Sequence, residues 1–412
     1  MPGKGGDPMQ DNFLRVNPGN PLEFHLQMFA TWLRENGYRE RVIQSKLGLV
    51  GDLRKWLGRN GRGTPHLDEQ LLEAFAEHRQ QVRRGDLRTL RQFLDHLRER
   101  EVVQDRKPVS DQPPLTDLLS QYEKYLRSER GLTATTTSHY QYFVRKFVLE
   151  RFPNGPFLAK EVKASDISAF ILRRGQSQSV ASAKLMTTAL RSFFRYLFQK
   201  GELQADLAAS LPTVANWRLS TVPRYMTAEE VERVLKACPC RTAMDRRDYA
   251  ILLLLARLGL RAGEVVALQI EDINWRAGEF LVRGKGKLHD RMPLPADVGE
   301  ALASYLRLDR PACRTRQVFV CMQAPYRGFA ASSALARIVH RALLRADLRP
   351  TFKGAHLFRH SLATSLLRSG TTMGEIGEVL RHKSTNTTEI YAKVDFEGLR
   401  SLAHSWPMGG AQ

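Results

Sequence analysis

Between His356 and Tyr391 the sequence reads H-L-F-R-H-S-L-A-T-S-L-L-R-S-G-T-T-M-G-E-I-G-E-V-L-R-H-K-S-T-N-T-T-E-I-Y. This short stretch holds proton-transfer groups, a permanent cation and a phenol. His356 and Arg359 stand three positions apart in a segment of helical character, so both side chains project from one face. His382 precedes Tyr391 by nine positions. Chemistry at a phosphate calls for these groups: guanidinium holds the oxygens, imidazole moves protons, and a phenolic oxygen attacks. A free phenol titrates at about pH 10, so Tyr391 needs a base or nearby cations to act at neutral pH. Three further positions fit the same chemistry. Arg261, in L-G-L-R-A-G-E, follows an apolar run, with Gly259 and Gly263 permitting tight turns, and Glu264 lies close behind it. Lys285 and Lys287, in R-G-K-G-K, sit among glycines at a turn from which they can reach into a groove. His360, beside the motif arginine, reads as a packing or capping residue.

The whole chain must support that reading. It has 412 residues, enough for two or three domains, each with its own core. Lys and Arg number 63 against 43 Asp and Glu, a net charge of +20 spread along the chain, which points to a polyanionic partner and to nucleic acid first. Cys238, Cys240, Cys313 and Cys321 lack the paired spacing of a zinc site and read as reduced thiols of an intracellular, cytoplasmic protein. The longest apolar run, residues 251–256, is too short to span a bilayer. No carboxylate cluster for Mg²⁺, no Walker loop and no G-x-G-x-x-G is present, so no metal and no cofactor is expected.

The elements that position these groups are mainly helical. Residues 1–20 are Gly- and Pro-rich and read as a flexible lead-in. Apolar residues then recur at helical spacing through roughly four helices in 21–104, before a Pro-containing linker at 105–114. A second helical block spans 115–205. Its last helix, with Leu190, Arg191, Phe193 and Leu197, repeats the pattern of Leu90, Arg91, Phe93 and Leu97, 100 positions earlier, which suggests a duplicated module. Lys124, Arg127, Arg145, Lys146 and Lys184, with Arg173, Arg174 and Arg195, supply cations along this block. The hydroxyls of Thr133, Thr135, Thr136, Thr137 and Ser138 crowd one helix start, where phosphate can be held. A second linker is expected at 206–223 and a third domain at 224–412. That domain opens at a capping box on Thr227 and contains a β-hairpin, residues 279–283 and 291–294, with a further short strand at 317–321.

In order, Arg261, Lys285, His356-x-x-Arg359, His382 and Tyr391 resemble the tyrosine recombinase, or phage-integrase, family. The matching segments are G-L-R-A-G-E-V-V-A-L, V-R-G-K-G-K-L-H-D-R-M-P-L, H-L-F-R-H-S-L-A-T and L-R-H-K-S-T-N-T-T-E-I-Y. The resemblance implies a mainly α fold with a small β-hairpin or sheet: helical N-terminal and core-binding (SAM-like) bundles plus an α+β catalytic domain. It implies Tyr391 as nucleophile, forming a 3′-phosphotyrosine, with Arg261 and Arg359 clamping the phosphate. Lys285 would protonate the leaving 5′-oxygen, His356 assist deprotonation of Tyr391, His382 hydrogen-bond the phosphate, and Glu264 support the site. The implied partner is double-stranded DNA, bound by a tetramer that works through a Holliday junction, alone or with other recombinases of the same mobile element. A tail carrying Leu399, Leu402 and Trp406 would dock on a neighbouring protomer. The family usually has Gly where this chain has Arg381. Rival readings are a type IB topoisomerase-like DNA relaxation and a catalytically silent DNA-binding subunit.

Overall fold

The computed structural model describes residues 21–61, 67–79, 85–103, 113–153, 155–214, 222–284, 289–382, 384, 387–394 and 400. The expected lead-in 1–20, the lysines Lys285 and Lys287, and the tail with Leu399, Leu402 and Trp406 lie outside them. Described residues within 1–105 and 221–412 form one compact unit, and those within 106–220 a second.

In the first unit the chain begins with α1 (Pro21–Glu35), α2 (Glu40–Arg59), α3 (Glu69–His78) and α4 (Asp86–Arg98). Their apolar stripes meet in one core around Phe29, Leu33, Val50, Leu72, Leu90, Phe93 and Leu97. Asp68 caps α3 by accepting from the Leu71 N–H at 2.8 Å. Gly37, at φ +82°, ends the first helix in a conformation that side chains resist, and the ring of Tyr326 fills the space beside it. Tyr326 N–H donates to the Asn36 carbonyl at 3.1 Å, and Arg314 pairs with Glu35 at 2.8 Å, so this block touches the 314–326 segment.

His96 on α4 is 2% exposed, packs against Phe29 and Trp32, and has no hydrogen-bond partner on either ring nitrogen. Burial first, then Arg100 and His25, hold its pKa at about 4. The unfolded imidazole titrates near 6.5, so the unfolded state binds the extra proton between these values. Stability from the neutral ring is fully present above about pH 6.5 and is lost as pH falls toward 4, by up to about 3 kcal/mol. Hydrogen-exchange protection factors within 21–103, which correct for the intrinsic slowing of exchange in acid, should therefore fall between pH 6.5 and 4.5, and His96→Leu should flatten that dependence. An unchanged slope in the variant would rule the account out.

The second unit holds α5 (Pro113–Lys124), α6 (Ala134–Arg151), α7 (Ala164–Gln176) and α8 (Val180–Gln199), packed around Tyr122, Phe147, Phe170, Phe193 and Phe194. The expected linkers at both ends are trimmed. Pro113 and Pro114 start α5, because proline at a helix start gives up no hydrogen bond. Ala208 and Leu211 are buried in the core, with the Arg191 guanidinium donating to the Leu211 and Pro212 carbonyls at 3.1 and 3.2 Å. Leu190, Phe193 and Leu197 are buried, as are Leu90, Phe93 and Leu97 in the first block.

From residue 222 the chain continues with α9 (Ala228–Lys236), whose Thr227–Glu230 capping box forms as expected, and α10 (Ala243–Leu258). Short α11 (Ala262–Ala267) leads to β1 (Ile273–Asn274), β2 (Glu279–Arg283) and β3 (His289–Pro293), an antiparallel sheet in sequence order. The hairpin is present, with one small strand added. Residues 317–321 do not form a strand. Gln317 and Val320 make only isolated bridges to Gln269 and Gly328. Then come α12 (Ala296–Ser304), α13 (Ser333–Arg345), α14 (His356–Arg368) and α15 (Met373–Val379), and a 3₁₀ turn at Glu389–Val394. The fold is mostly helical with this three-stranded sheet. Its core centres on Ile251–Leu255 of α10, which is buried on every side. Among the described residues no helix is long and apolar enough to cross a membrane.

Candidate active site

Three separate segments meet at one place. The first is the end of α10. Gly259 caps it at φ +56°, and a Cβ there would lie 2.8 Å from Leu380 Cδ2 and 3.0 Å from Leu362 Cδ2. A glycine is needed both for that conformation and for close approach of α14 and α15. Two residues later Arg261 caps α11. Its N–H and its Nη1 both donate to Glu264, each at 2.8 Å.

The second segment is α14. Arg359 is 3% exposed and stretches from one segment to another: Nη1 donates to the Gly259 carbonyl at 2.6 Å, and Nη2 donates to the Leu380 carbonyl. Burial, then the neighbouring Arg261, hold its pKa down to about 10, so it stays charged at neutral pH. His356 opens the helix with its ring exposed to solvent. The protein packed about its base lowers its pKa, and Arg359 and Arg261 lower it further.

The third segment is the end of α15 and the turn beyond it. Arg381 N–H donates to the Glu378 carbonyl at 2.9 Å, and His382 N–H to the Gly377 carbonyl at 2.8 Å. This pair of bonds is a Schellman motif, in which the residue after the cap turns left-handed. That residue is Arg381, at φ +54°. The motif explains why glycine is usual at this position, and the side chain shows what arginine adds. Its Nη2 donates to Glu264 at 2.8 Å, with both side chains almost fully covered. Its carbonyl accepts from Arg261 Nη2 at 3.3 Å. Burial pushes the Glu264 carboxyl up, but the Arg261 N–H and the two guanidiniums outweigh it and hold its pKa below the usual range.

Arg381 is therefore strained in its backbone and bonded through its side chain. Arg381→Gly removes the left-handed cost, about 1 kcal/mol, together with the ion pair. Arg381→Ala loses the pair and keeps the strain. Denaturant midpoints should rank wild type above Gly and Gly above Ala; an alanine variant as stable as the glycine one would contradict the account.

Tyr391 follows within the 3₁₀ turn, 1% exposed, among Ala363, Ile376, Leu380 and Val394. Burial raises its pKa, opposed by the positive charges of Arg359 and Arg261. Its ring lies parallel to that of His382, with centroids 6.4 Å apart. His382 Nδ1 is 2.7 Å from the hydroxyl of Thr388, and burial, with Arg359 and Arg261 next, holds its pKa at about 4. The phenol oxygen sits 3.0 Å from Nδ1 of His360. This corrects the expectation of a packing role for His360: helical spacing carries it one turn below His356, on the same face and toward Tyr391.

The structure thus gathers Arg261, Glu264, His356, Arg359, His382 and Tyr391, with Lys285 outside the described residues. Thr388, Arg381 and His360 were not assigned to the site from sequence. The i, i+4 spacing of His356 and His360 was the available signal for the last of these.

Of the cations expected to meet DNA, Lys124, Arg127, Arg145 and Lys184 are exposed, and Lys146 lies over the Tyr142 ring at 4.6 Å. Arg173 and Arg174 are instead bound to Glu150, each at 2.7 Å. The hydroxyl cluster is also partly spent. Thr133 caps α6, Ser138 bonds the Ala134 carbonyl, and Thr137 is buried. Elsewhere in the first unit, Arg247, Arg327, Arg337, Arg341, His340 and Phe329 line a cleft of about 570 Å³.

Comparison with known proteins gives the family. Residues 224–397 match the phage integrase family, and residues 119–201 match the phage integrase N-terminal SAM-like domain. A Sinorhizobium fredii protein with the provisional name integrase/recombinase y4rA is 40% identical over 397 residues, covering 96% of this chain and 97% of its own length. Tyrosine recombinase XerD of Listeria monocytogenes is 29% identical over 288 residues, 68% of this chain and 95% of that one. Among solved structures, XerH site-specific recombinase bound to palindromic difH, in a post-cleavage complex, aligns with TM-score 0.53 at 23% identity. It covers 69% of this chain and 83% of XerH. A lambda integrase (75–356) dimer bound to a COC′ core site aligns with TM-score 0.51 at 18% identity, over 72% and 99%. The chain belongs to the phage integrase family of tyrosine recombinases. It is accordingly an integrase/recombinase, of a family whose enzymes break and rejoin DNA.

Proposed function

We propose that this recombinase cuts double-stranded DNA with Tyr391, forming a 3′-phosphotyrosyl bond and a free 5′-hydroxyl, and exchanges strands between two duplexes through a Holliday junction. The observation that carries this is the convergence of Arg261, Arg359, His382 and Tyr391 from segments up to 130 positions apart in the chain. Arg261 and Arg359 take the non-bridging oxygens and stabilise the charge that builds up in the transition state. His356 and His382 contact the phosphate, Glu264 and Arg381 hold Arg261, and Lys285 protonates the leaving oxygen. The phosphotyrosyl bond keeps the energy of the broken linkage, so resealing needs no external energy source.

The block containing Lys124, Arg127, Arg145, Lys146 and Lys184 serves as the core-binding domain and meets the DNA backbone; Lys287 and the arginine-lined cleft add further contacts. The four helices of 21–103 share its helix number and its buried Leu-x-x-Phe-x-x-x-Leu pattern, which supports a duplicated module. Working as a tetramer on DNA, and serving a mobile element, complete the proposal. Relatives seen on DNA, XerH on difH and lambda integrase on its core site, support the choice of partner.

The test is to incubate the full chain with a pool of host DNA fragments, quench in detergent, recover covalent complexes and sequence their ends. Protein attached at 3′ ends that share one sequence is the expected result. Absence of any covalent complex across the pool would overturn the reading.

A further inference from the structure

We propose that His360, and not His356, receives the proton of Tyr391 when the phenol attacks; this rests on Tyr391 being the nucleophile. His360 Nδ1 lies 3.0 Å from the phenol oxygen, the only polar partner that oxygen has among the described residues. The two rings meet edge to face, with centroids 5.7 Å apart at 60°. His356 shares the helix face, its ring centroid 6.3 Å from that of His360, but makes no hydrogen bond to Tyr391 and opens to solvent. The two histidines thus divide the work: the outer one faces the phosphate, and the inner one faces the nucleophile.

The chemistry is consistent with the surroundings. An acceptor at Nδ1 must be a neutral imidazole carrying its hydrogen on Nε2. Burial first, then His356 and Arg359, hold the His360 pKa at about 4, so at neutral pH the ring is uncharged and its lone pair is available. A DNA phosphate seated between Arg261 and Arg359 offsets the positive field that suppresses imidazolium, so His360 gains basicity when substrate arrives. In cleavage the Oη proton passes to Nδ1, the Oη–P bond forms and the P–O5′ bond breaks. The 5′-oxygen takes a proton from a separate donor, the role proposed for Lys285. In rejoining, the 5′-hydroxyl attacks, P–Oη breaks, and His360 returns its proton to Oη.

The experiment uses the full chain in single turnover, on a duplex carrying the site recovered by covalent trapping. His360→Asn keeps an acceptor oxygen near the Nδ1 position but cannot take a proton at neutral pH; His360→Ala keeps neither. A matching duplex with a 5′-bridging phosphorothiolate has a leaving group that needs no proton. Both variants should form adduct about 100-fold or more slowly, as loss of a general base does. They should stay slow on the phosphorothiolate, whereas Lys285→Ala should be rescued on it. Retained DNA binding and an unchanged circular dichroism spectrum would show that the variants are folded. His360→Asn cleaving at the wild-type rate would overturn the proposal, leaving His360 as a mere anchor for the ring. So would rescue of either His360 variant by the phosphorothiolate, which would place its proton on the leaving oxygen instead. Failure of the wild type to form any adduct would strike the nucleophile assignment itself, a separate outcome.

Discussion

Tyr391→Phe is expected to bind DNA with unchanged affinity and to form no covalent adduct, seen as loss of the slow-moving protein–DNA band on a denaturing gel. The ring is 1% exposed and packs with Ala363, Ile376, Leu380 and Val394, so phenylalanine keeps the apolar contacts. The only polar loss is the contact with His360, worth about 1 kcal/mol, so the fold should survive. The attacking oxygen, by contrast, is gone. The hydroxyl of Thr388 does not replace it, being buried and held against His382. An adduct in this variant would remove Tyr391 from the mechanism.

The second large effect is Arg359→Lys. Arginine reaches the Gly259 and Leu380 carbonyls with two separate nitrogens and leaves further N–H groups for a phosphate. Lysine offers one nitrogen, which cannot hold both carbonyls and a phosphate in the same plane. Adduct formation at saturating DNA should fall by about 100- to 1,000-fold, the usual cost of losing a preorganised donor at developing charge. Stability should fall by about 1–3 kcal/mol, because one buried carbonyl loses its donor. A variant that loses stability but cleaves at the wild-type rate would restrict Arg359 to holding the fold.

Much of the architecture is legible in the chain because it depends on local patterns. Phe29, Trp32 and Leu33, or Leu190, Phe193 and Leu197, declare a helix and its inner face by spacing alone. Thr227 and Glu230 declare where a helix begins. The short strand at 273–274 is not legible, since two residues carry no periodicity, and the apolar run 317–321 misled because burial alone does not make a strand. In the site, residue types and order pointed to Arg261, His356, Arg359, His382 and Tyr391. Their partners were hidden, because they are set by long-range packing. Nothing local says that Arg381 reaches Glu264, 117 positions away, or that the Gly259 carbonyl meets Arg359, 100 positions on. Arg381 looked like a defect in a motif that prefers glycine; only its side-chain partner reveals a compensating bond.

The burial of Tyr391 bears on how such a protein lives among its own substrate. A chain with net charge +20 meets DNA constantly, and nearly all of that DNA carries no correct site. A phenol 1% exposed is out of reach of a duplex that only rests on the surface. On the proposed mechanism searching and cutting are thus separate events: the protein samples a genome with its blade sheathed, and cutting waits for a phosphate to reach the oxygen that His360 holds.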